Sequence, residues 1–147
     1  MALKEKLEAD VKTAMLAKNE VVRDTLRLIL SELKRLDLQE GKEITPDIET
    51  DVLLKAVKMR QQSIAEFEKA GRADLVAKEK AELAVIQNYL PKSMSDAEVE
   101  SAIKALMAEL KITTKKDMGT LMKAVMAKYK GQIDGKKTQE LLGKLLA

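Results

Sequence analysis

The sequence predicts an all-α protein, with an N-terminal domain of about four helices and a small C-terminal three-helix bundle. Apolar residues recur at helical spacing along nearly the whole chain, and no segment shows the alternation typical of a half-buried strand. Helix-capping residues stand at the breaks between these periodic segments. Pro91 marks a joint, because proline disfavours helix at the residue before it, and this joint divides the chain into residues 1–91 and 92–147.

The first two helices are predicted over residues 2–18 and 20–40, with a brief break at Asn19. The first carries one apolar stripe, formed by Leu3, Leu7, Val11 and Ala14/Met15. In the second, apolar residues alternate between spacings of four and three, which indicates a buried seam. This seam consists of Val22, Leu26, Ile29, Leu33 and Leu36. Gly41 is expected to end the second helix.

Thr45 is placed to cap a third helix over residues 46–70, with Pro46 at the first position, where its missing N–H costs nothing. Gly71 suits the left-handed stop of that helix. A fourth helix is predicted over residues 73–89, and its expected buried residues are Val76, Leu83, Ile86 and Leu90. Because the break at Gly71 is short, we expect the third and fourth helices to form an antiparallel hairpin.

Beyond the joint, Ser95 and Glu98 have the spacing of a capping box that opens a fifth helix. Its expected inward residues are Val99, Ile103, Leu106 and Leu110. Thr114 and Asp117 indicate a second cap before a sixth helix that stops at Gly131. The sixth helix carries Met118, Leu121, Met122, Val125, Met126 and Tyr129. Asp134 is predicted to cap a seventh helix that buries Leu141, Leu142 and Leu145.

The composition argues against catalysis by this chain alone. It contains no Cys and no His, which removes thiol nucleophiles, disulfides and the commonest general base. Aromatic residues make up 2%, so stacking platforms for single-stranded bases are nearly absent. No apolar leader or spanning run is visible, so we expect a cytoplasmic protein without membrane association.

Positive charge is concentrated in the second part of the chain. Residues 1–91 hold 16 Lys and Arg against 17 Asp and Glu, whereas residues 92–147 hold 11 Lys against 7 Asp and Glu. Within residues 111–137 there are eight Lys and two Asp. Such a cluster favours binding to a phosphate backbone, although a solvated lysine face is the commoner origin of such a pattern. Lys rather than Arg suggests backbone contact rather than bidentate reading of bases.

The most unusual motif begins with Lys116-Asp117-Met118-Gly119 and continues with Lys128-Tyr129-Lys130-Gly131 and Asp134-Gly135. Gly119 falls in the first turn of a predicted helix, where glycine costs about 0.5–1 kcal/mol relative to alanine. This cost predicts close approach of a neighbouring helix or of a ligand's backbone. The helix that begins after Asp134 has free N–H groups that could meet a phosphate.

This order of features resembles the YqeY-like family, which is similar to the C-terminal region of the B subunit of the bacterial glutamyl-tRNA/aspartyl-tRNA amidotransferase. The resemblance covers essentially the whole chain, including the Tyr89-Leu90-Pro91 joint. It implies an all-α protein with a larger N-terminal helical domain and a C-terminal three-helix domain. In the amidotransferase the corresponding tail contacts the outer elbow of the tRNA, while transamidation takes place elsewhere.

By position, the resemblance implies tRNA contacts at Lys115, Lys116, Met118, Gly119, Lys128, Lys130, Gly131, Asp134 and Gly135. The basic segment adds Lys123, Lys136 and Lys137. Two positions depart from the family pattern. Lys123 stands where a second glycine is usual, and Ile133 stands where a small residue is usual.

We therefore expect a freestanding tRNA-associated module that binds the tRNA elbow by shape and backbone charge. The family label would be carbon–nitrogen ligase activity with glutamine as amido-N-donor, but we expect no activity from the chain alone, no catalytic residue, no metal and no cofactor. The alternative is a helical protein-interaction adaptor that binds no nucleic acid and docks a protein partner through its N-terminal helices. A carboxylate–lysine enzyme is less favoured, because Asp117 and Asp134 are separated by a whole predicted helix and both have cap roles.

Overall fold

Seven α-helices and one short 3₁₀ turn form the structure, a computed structural model that describes residues 2–39 and 43–147. These residues are 78% helical and contain no strand, which confirms the all-α prediction. The helices are α1 (Ala2–Leu16), α2 (Glu20–Asp37), α3 (Pro46–Lys69), α4 (Ala73–Gln87), α5 (Asp96–Leu110), α6 (Met118–Lys128) and α7 (Gly135–Leu145), and the 3₁₀ turn is Lys115–Asp117. None of the described helices has both the length and the apolarity needed to cross a membrane.

The chain divides into two compact units, the first ending at Leu90 and the second running from Pro91 to Ala147. The division falls within one residue of the predicted joint. That the two units are independently folding domains stays a prediction.

The first unit contains α1 to α4. The core is built from α1 and the seam of α2, together with the first half of α3 and the end of α4. Its buried residues are Leu7, Val11, Leu26, Ile29, Leu30, Leu33, Ile44, Val52, Leu53, Ala56 and Ile86. The expected hairpin of α3 and α4 is present, and Gly71 turns it with a φ of +69°. Thr45 caps α3 by accepting the Ile48 N–H at 3.3 Å, as the sequence predicts.

Two hydrogen bonds connect α1 to the hairpin of α3 and α4. The backbone N–H of Leu3 donates to Oε2 of Glu49 on α3 at 3.1 Å, so a buried carboxylate satisfies a free N–H in the first turn of α1. The hydroxyl of Tyr89, just beyond α4, donates to Asp10 on α1. Burial, followed by the neighbouring Asp10 carboxylate, raises the pKa of Tyr89 well above its ordinary value.

Several details of the first unit differ from the sequence prediction. The second helix ends at Asp37 rather than near residue 40, and the predicted stop at Gly41 lies outside the described residues. Met15 is 51% exposed because it faces the outer side of the α1–α2 pair, where its sulfur contacts Arg27. In α4 only Ile86 is buried, since α4 packs mainly on α3 and α2. The other expected core residues there, Val76, Leu83 and Leu90, are half-buried.

The second unit packs α5, α6 and α7 around its own core. That core contains Val99, Ile103, Leu106, Ile112, Leu121, Val125, Leu142 and Leu146. The predicted capping box of Ser95 and Glu98 is formed. Leu110 is 42% exposed rather than buried, because α5 ends at this residue and Lys111 turns the chain with a φ of +55°. At the end of α7, Leu141 and Leu145 are half-buried, and Leu146 fills the core with Leu142.

Candidate nucleic-acid interface

The basic segment folds into a pair of antiparallel helices, α6 and α7, which we call the basic hairpin (residues 115–145). Its direction follows from two backbone hydrogen bonds at the end of the chain. The Lys115 N–H donates to the Ala147 carbonyl at 3.1 Å, and the Ala147 N–H donates to the Thr113 carbonyl at 3.0 Å. The last residue therefore lies beside the start of α6, so α7 runs back along α6.

This arrangement divides the predicted contact residues between two ends of the basic hairpin. Lys115 and Lys116 lie in the 3₁₀ turn just before α6, whereas Lys128 and Lys130 lie at or just beyond the end of α6. Eleven residues of helix separate these ends, a length of about 16 Å. Gly131, Asp134, Gly135, Lys136 and Lys137 belong to the same turn and the first turn of α7. The candidate residues thus form two clusters, with Lys123 between them.

The lysines of the basic hairpin project into solvent. Lys115, Lys116, Lys123, Lys128, Lys136 and Lys137 are exposed, and Lys130 is half-buried. Within residues 2–39 and 43–147, none of these six lysines is in an ion pair with a carboxylate. The ammonium group of Lys128 lies 5.7 Å from the centre of the Tyr129 ring. These side chains are therefore available to an anionic partner.

The two aspartates of the segment have different roles. Asp134 caps α7 by accepting the Lys136 N–H at 2.9 Å, which confirms the predicted cap. The second predicted cap is wrong. Thr114 and Asp117 make no side-chain capping bond, because residues 115–117 form a 3₁₀ turn before α6 begins at Met118. The sixth helix also ends at Lys128 rather than at Gly131, whose φ of +80° lies in the turn.

Gly119 is exposed at the second position of α6. A Cβ atom built on it would meet no heavy atom within 4 Å, so no neighbouring helix of the chain requires glycine here. Of the two predicted reasons for glycine at this position, close packing of a neighbouring helix is therefore wrong, and the approach of a ligand's backbone stays a prediction. Gly135 differs, since a Cβ there would lie at 3.8 Å and 3.9 Å from the methyl carbons of Met126 and Met122.

The methionines of α6 serve mainly as packing residues. Met118 and Met122 are half-buried against the core of the second unit. Packing alone therefore accounts for Met118 among the predicted contact residues. Helical spacing places Gly119 and Lys123 one turn apart, on the exposed side of α6 opposite Leu121 and Val125.

One lysine of this surface is not among the contact residues predicted from the sequence. Lys144 is exposed in the last turn of α7, and the return of the chain to Thr113 brings it to the same end of the basic hairpin as Lys115. Lys144 lies outside the lysine-rich segment of residues 111–137. Its position near Lys115 follows only from the antiparallel direction of α7. Among the described residues, no group of three or more Asp or Glu side chains is arranged to hold a metal ion.

Comparison with known proteins gives a match over nearly the whole chain. A family model described as "Yqey-like protein" matches residues 4–146. Three relatives share the name "Altered inheritance of mitochondria protein 41, mitochondrial". The protein from Lachancea thermotolerans is 36% identical over 71% of this chain and 58% of its own length. The protein from Pyrenophora tritici-repentis is 35% identical over 94% of this chain and 80% of its own length. The protein from Saccharomyces cerevisiae is 34% identical over 88% of this chain and 69% of its own length. The match thus covers less than two thirds of the Lachancea protein.

The names of these relatives correct one prediction. A cytoplasmic location is expected from the lack of an apolar leader, and the mitochondrial designation of the relatives contradicts it. The reason is physical, since mitochondrial addressing segments are amphipathic and rich in Arg and Ser. A search for an apolar leader does not detect such segments.

Proposed function

Because the chain belongs to the YqeY-like family, we propose that it is a non-catalytic tRNA-associated module whose second unit binds the phosphate backbone of the folded RNA. One observation carries the proposal. Seven lysines of the basic hairpin, Lys144 included, are exposed and have no carboxylate partner among the described residues. Unpaired cations at this density favour a polyanion, because binding releases the counterions that are condensed on its phosphates.

The spacing of the two lysine clusters suits a folded RNA better than a small anion. They are separated by about 16 Å of helix, which is long enough to span several phosphates. Lysine is a compact point charge, without the planar fork by which arginine recognises a guanine edge. The module would therefore recognise the shape and backbone of the RNA rather than its sequence.

Gly119 supports the same surface by a different kind of observation. It is exposed, has open space above it and lies one turn before Lys123. A position without a side chain beside a row of cations lets an RNA backbone approach the start of α6 closely. We propose that the surface corresponds to the tail of the amidotransferase B subunit and meets the outer elbow of a tRNA. Amidotransferase chemistry would need other chains, because we assign no catalytic group to this one.

The test is a salt titration of tRNA binding by fluorescence anisotropy. The test variant replaces Lys115, Lys116, Lys136 and Lys137 with alanine. A matched control replaces four exposed lysines of the α3–α4 hairpin, Lys55, Lys58, Lys69 and Lys78. If three or four of the test lysines meet phosphates, the slope of log K against log salt shrinks by about 3 in the test variant. In the control the slope stays close to that of the unmodified chain.

Different tRNA transcripts should bind with similar affinity, and each should bind more tightly than an unstructured RNA of equal length. The proposal fails if the unmodified chain has no measurable affinity for tRNA at low salt. Equal losses in the test and control variants would assign the binding to net charge rather than to the basic hairpin. Glutamine hydrolysis or conversion of Glu-tRNA to Gln-tRNA by the pure chain would overturn the non-catalytic part of the proposal.

A further inference from the structure

The first unit has an open groove between α1 and α2, and the proposed RNA-binding surface does not include it. Val11 and Leu30 form its apolar floor, and Met15 stands beside them with half of its surface exposed. Helical spacing places Glu8, Lys12 and Met15 on one side of α1, while Arg27, Ser31 and Lys34 share one side of α2. The groove therefore runs between residues 8–15 of α1 and residues 27–34 of α2.

Other contacts occupy the remaining sides of these helices. On α1, the Leu3 N–H bonds to Glu49 and Asp10 accepts from Tyr89. On α2, the seam packs on α3 and α4. The groove thus faces away from the packing of the first unit. Two adjacent helices with an apolar floor between them have the shape that accepts a third helix.

The rim of the groove carries an excess of positive charge, with Lys12, Arg27 and Lys34 against Glu8. Lys12 and Arg27 are exposed on opposite sides, and neither is in an ion pair with a carboxylate among the described residues. The Nη2 atom of Arg27 instead lies 3.5 Å from the sulfur of Met15. The one acidic residue of the rim, Glu8, lies 3.9 Å from the ammonium group of Lys34 across the groove.

We propose that this groove binds an acidic amphipathic helix of a protein partner. The apolar side of that helix covers mainly Met15, together with the small exposed parts of Val11 and Leu30, and its carboxylates meet Lys12 and Arg27. An extended peptide is a poorer occupant, because the walls of the groove are helices whose backbone groups are already bonded. A second copy of the chain in a two-fold contact is also a poor fit, since it would bring the cations of one rim against those of the other.

The experiment uses the full chain and four labelled peptides of about 18 residues, a length of about five helical turns. The first is an amphipathic helix with leucines on one side and glutamates on the other. The second and third replace its glutamates with glutamine and with lysine. The fourth scrambles the first, which keeps the composition and removes the apolar side. We expect the acidic amphipathic peptide to bind most tightly, the glutamine peptide next, and the lysine and scrambled peptides at least about tenfold more weakly than the first.

Charge reversal in the groove supplies the specificity test. The double variant Lys12→Glu and Arg27→Glu should weaken binding of the acidic peptide by about tenfold or more, and it should bind the lysine peptide better than the unmodified chain does. The matched control, Lys58→Glu and Lys69→Glu, makes the same change in net charge on α3 and should leave peptide binding unchanged. Met15→Ser should weaken the acidic and glutamine peptides alike, because it removes apolar contact without changing charge.

The proposal is overturned if the scrambled peptide binds as well as the amphipathic one, or if the groove and control reversals have equal effects. A dimer in sedimentation that dissociates in the Lys12→Glu and Arg27→Glu variant would assign the groove to self-association instead. The same variant should keep its tRNA affinity to within twofold of the control reversal. A larger loss would make the groove part of the RNA surface. Success or failure of the tRNA experiment leaves these outcomes unchanged.

Discussion

The two units differ in how they use charge. In the first unit, several cations lie beside carboxylates, as in Arg35–Glu32 at 2.7 Å and Arg60–Glu82 at 3.5 Å, whereas others, such as Lys12 and Arg27, are in no ion pair within the described residues. In the second unit, the seven exposed lysines of the basic hairpin have no carboxylate partner among the described residues. Paired charges neutralise one another locally, whereas unpaired lysines produce a field that reaches about one Debye length into solvent. The dense group of unpaired lysines in the second unit supports the proposal that this unit binds a polyanion.

The units also differ in how their ends are held. The first unit uses side chains, with Glu49 and Tyr89 fixing α1. The second unit uses the backbone, since Met94 donates to the Gln132 carbonyl at 2.8 Å and Ala147 bonds with Thr113 and Lys115. Most single substitutions at Glu49 or Tyr89 remove the side-chain anchor, whereas a backbone bond survives most substitutions other than proline. Core substitutions are therefore the direct way to separate the two units.

The largest expected effect comes from a matched pair of core truncations. Leu26→Ala in the first unit and Leu142→Ala in the second each remove a fully buried leucine and should each cost about 2–5 kcal/mol. If the units fold independently, each substitution lowers the unfolding transition of its own unit alone. Fluorescence of the chain's two tyrosines reports the units separately, because Tyr129→Phe leaves only Tyr89 and Tyr89→Phe leaves only Tyr129. One shared transition in both variants would contradict two independent domains.

The next largest effect is the change in stability when alanine replaces either of two glycines. Both positions have open space for a side chain. Gly71 has a φ of +69°, so Gly71→Ala should destabilise the first unit by about 1 kcal/mol. Gly119 lies within a helix, so Gly119→Ala should stabilise the second unit by about 0.5 kcal/mol. Thermal unfolding measures both changes.

A larger side chain at Gly119 tests the proposed function. If an RNA backbone approaches this position, Gly119→Leu should weaken tRNA binding while the salt slope stays nearly constant, because no charge changes. Unchanged affinity in a folded variant would place the closest RNA contact elsewhere on the basic hairpin.

A smaller effect concerns Tyr89 and has a defined pH dependence. Its pKa is raised in the folded state, so the protonated hydroxyl contributes stability that is fully present below the unfolded pKa of about 10 and is lost as the pH rises above it. Tyr89→Phe should cost about 1 kcal/mol near neutral pH through the lost bond to Asp10, and the difference should shrink above pH 10. Urea unfolding at several pH values measures this difference in unfolding free energy. In a Tyr129→Phe chain, the absorbance of tyrosinate should appear only above the ordinary range, and a normal titration would contradict the contact.

The smallest expected effect is on stability, which should stay nearly the same when four lysines of the basic hairpin are replaced. Replacing Lys115, Lys116, Lys136 and Lys137 with alanine should alter the unfolding free energy by less than about 0.5 kcal/mol, because these exposed side chains are in no ion pair within the described residues. Circular dichroism and thermal unfolding check it. A large loss of stability would mean that the lysines have a structural role.

The sequence by itself predicts most of the helices and several of their caps. Thr45, Ser95 and Asp134 cap helices as expected, and Gly71 makes the expected left-handed turn. These features depend on atoms within four residues of one another, so local spacing is sufficient information. The cap at Thr114 fails because the intervening 3₁₀ turn changes that local spacing.

The candidate site was predictable in its residues but not in its arrangement. The excess of lysine in residues 111–137 is visible in the sequence, whereas the two clusters and the addition of Lys144 follow from the antiparallel return of α7. Likewise, the space above Gly119 and the exposure of Met15 depend on which helices pass nearby. Leu3 and Glu49 are 46 residues apart and Asp10 and Tyr89 are 79 apart, yet both pairs are bonded. Such contacts were decided only by the tertiary structure, because helical periodicity specifies which side of a helix is buried but not which helix covers it.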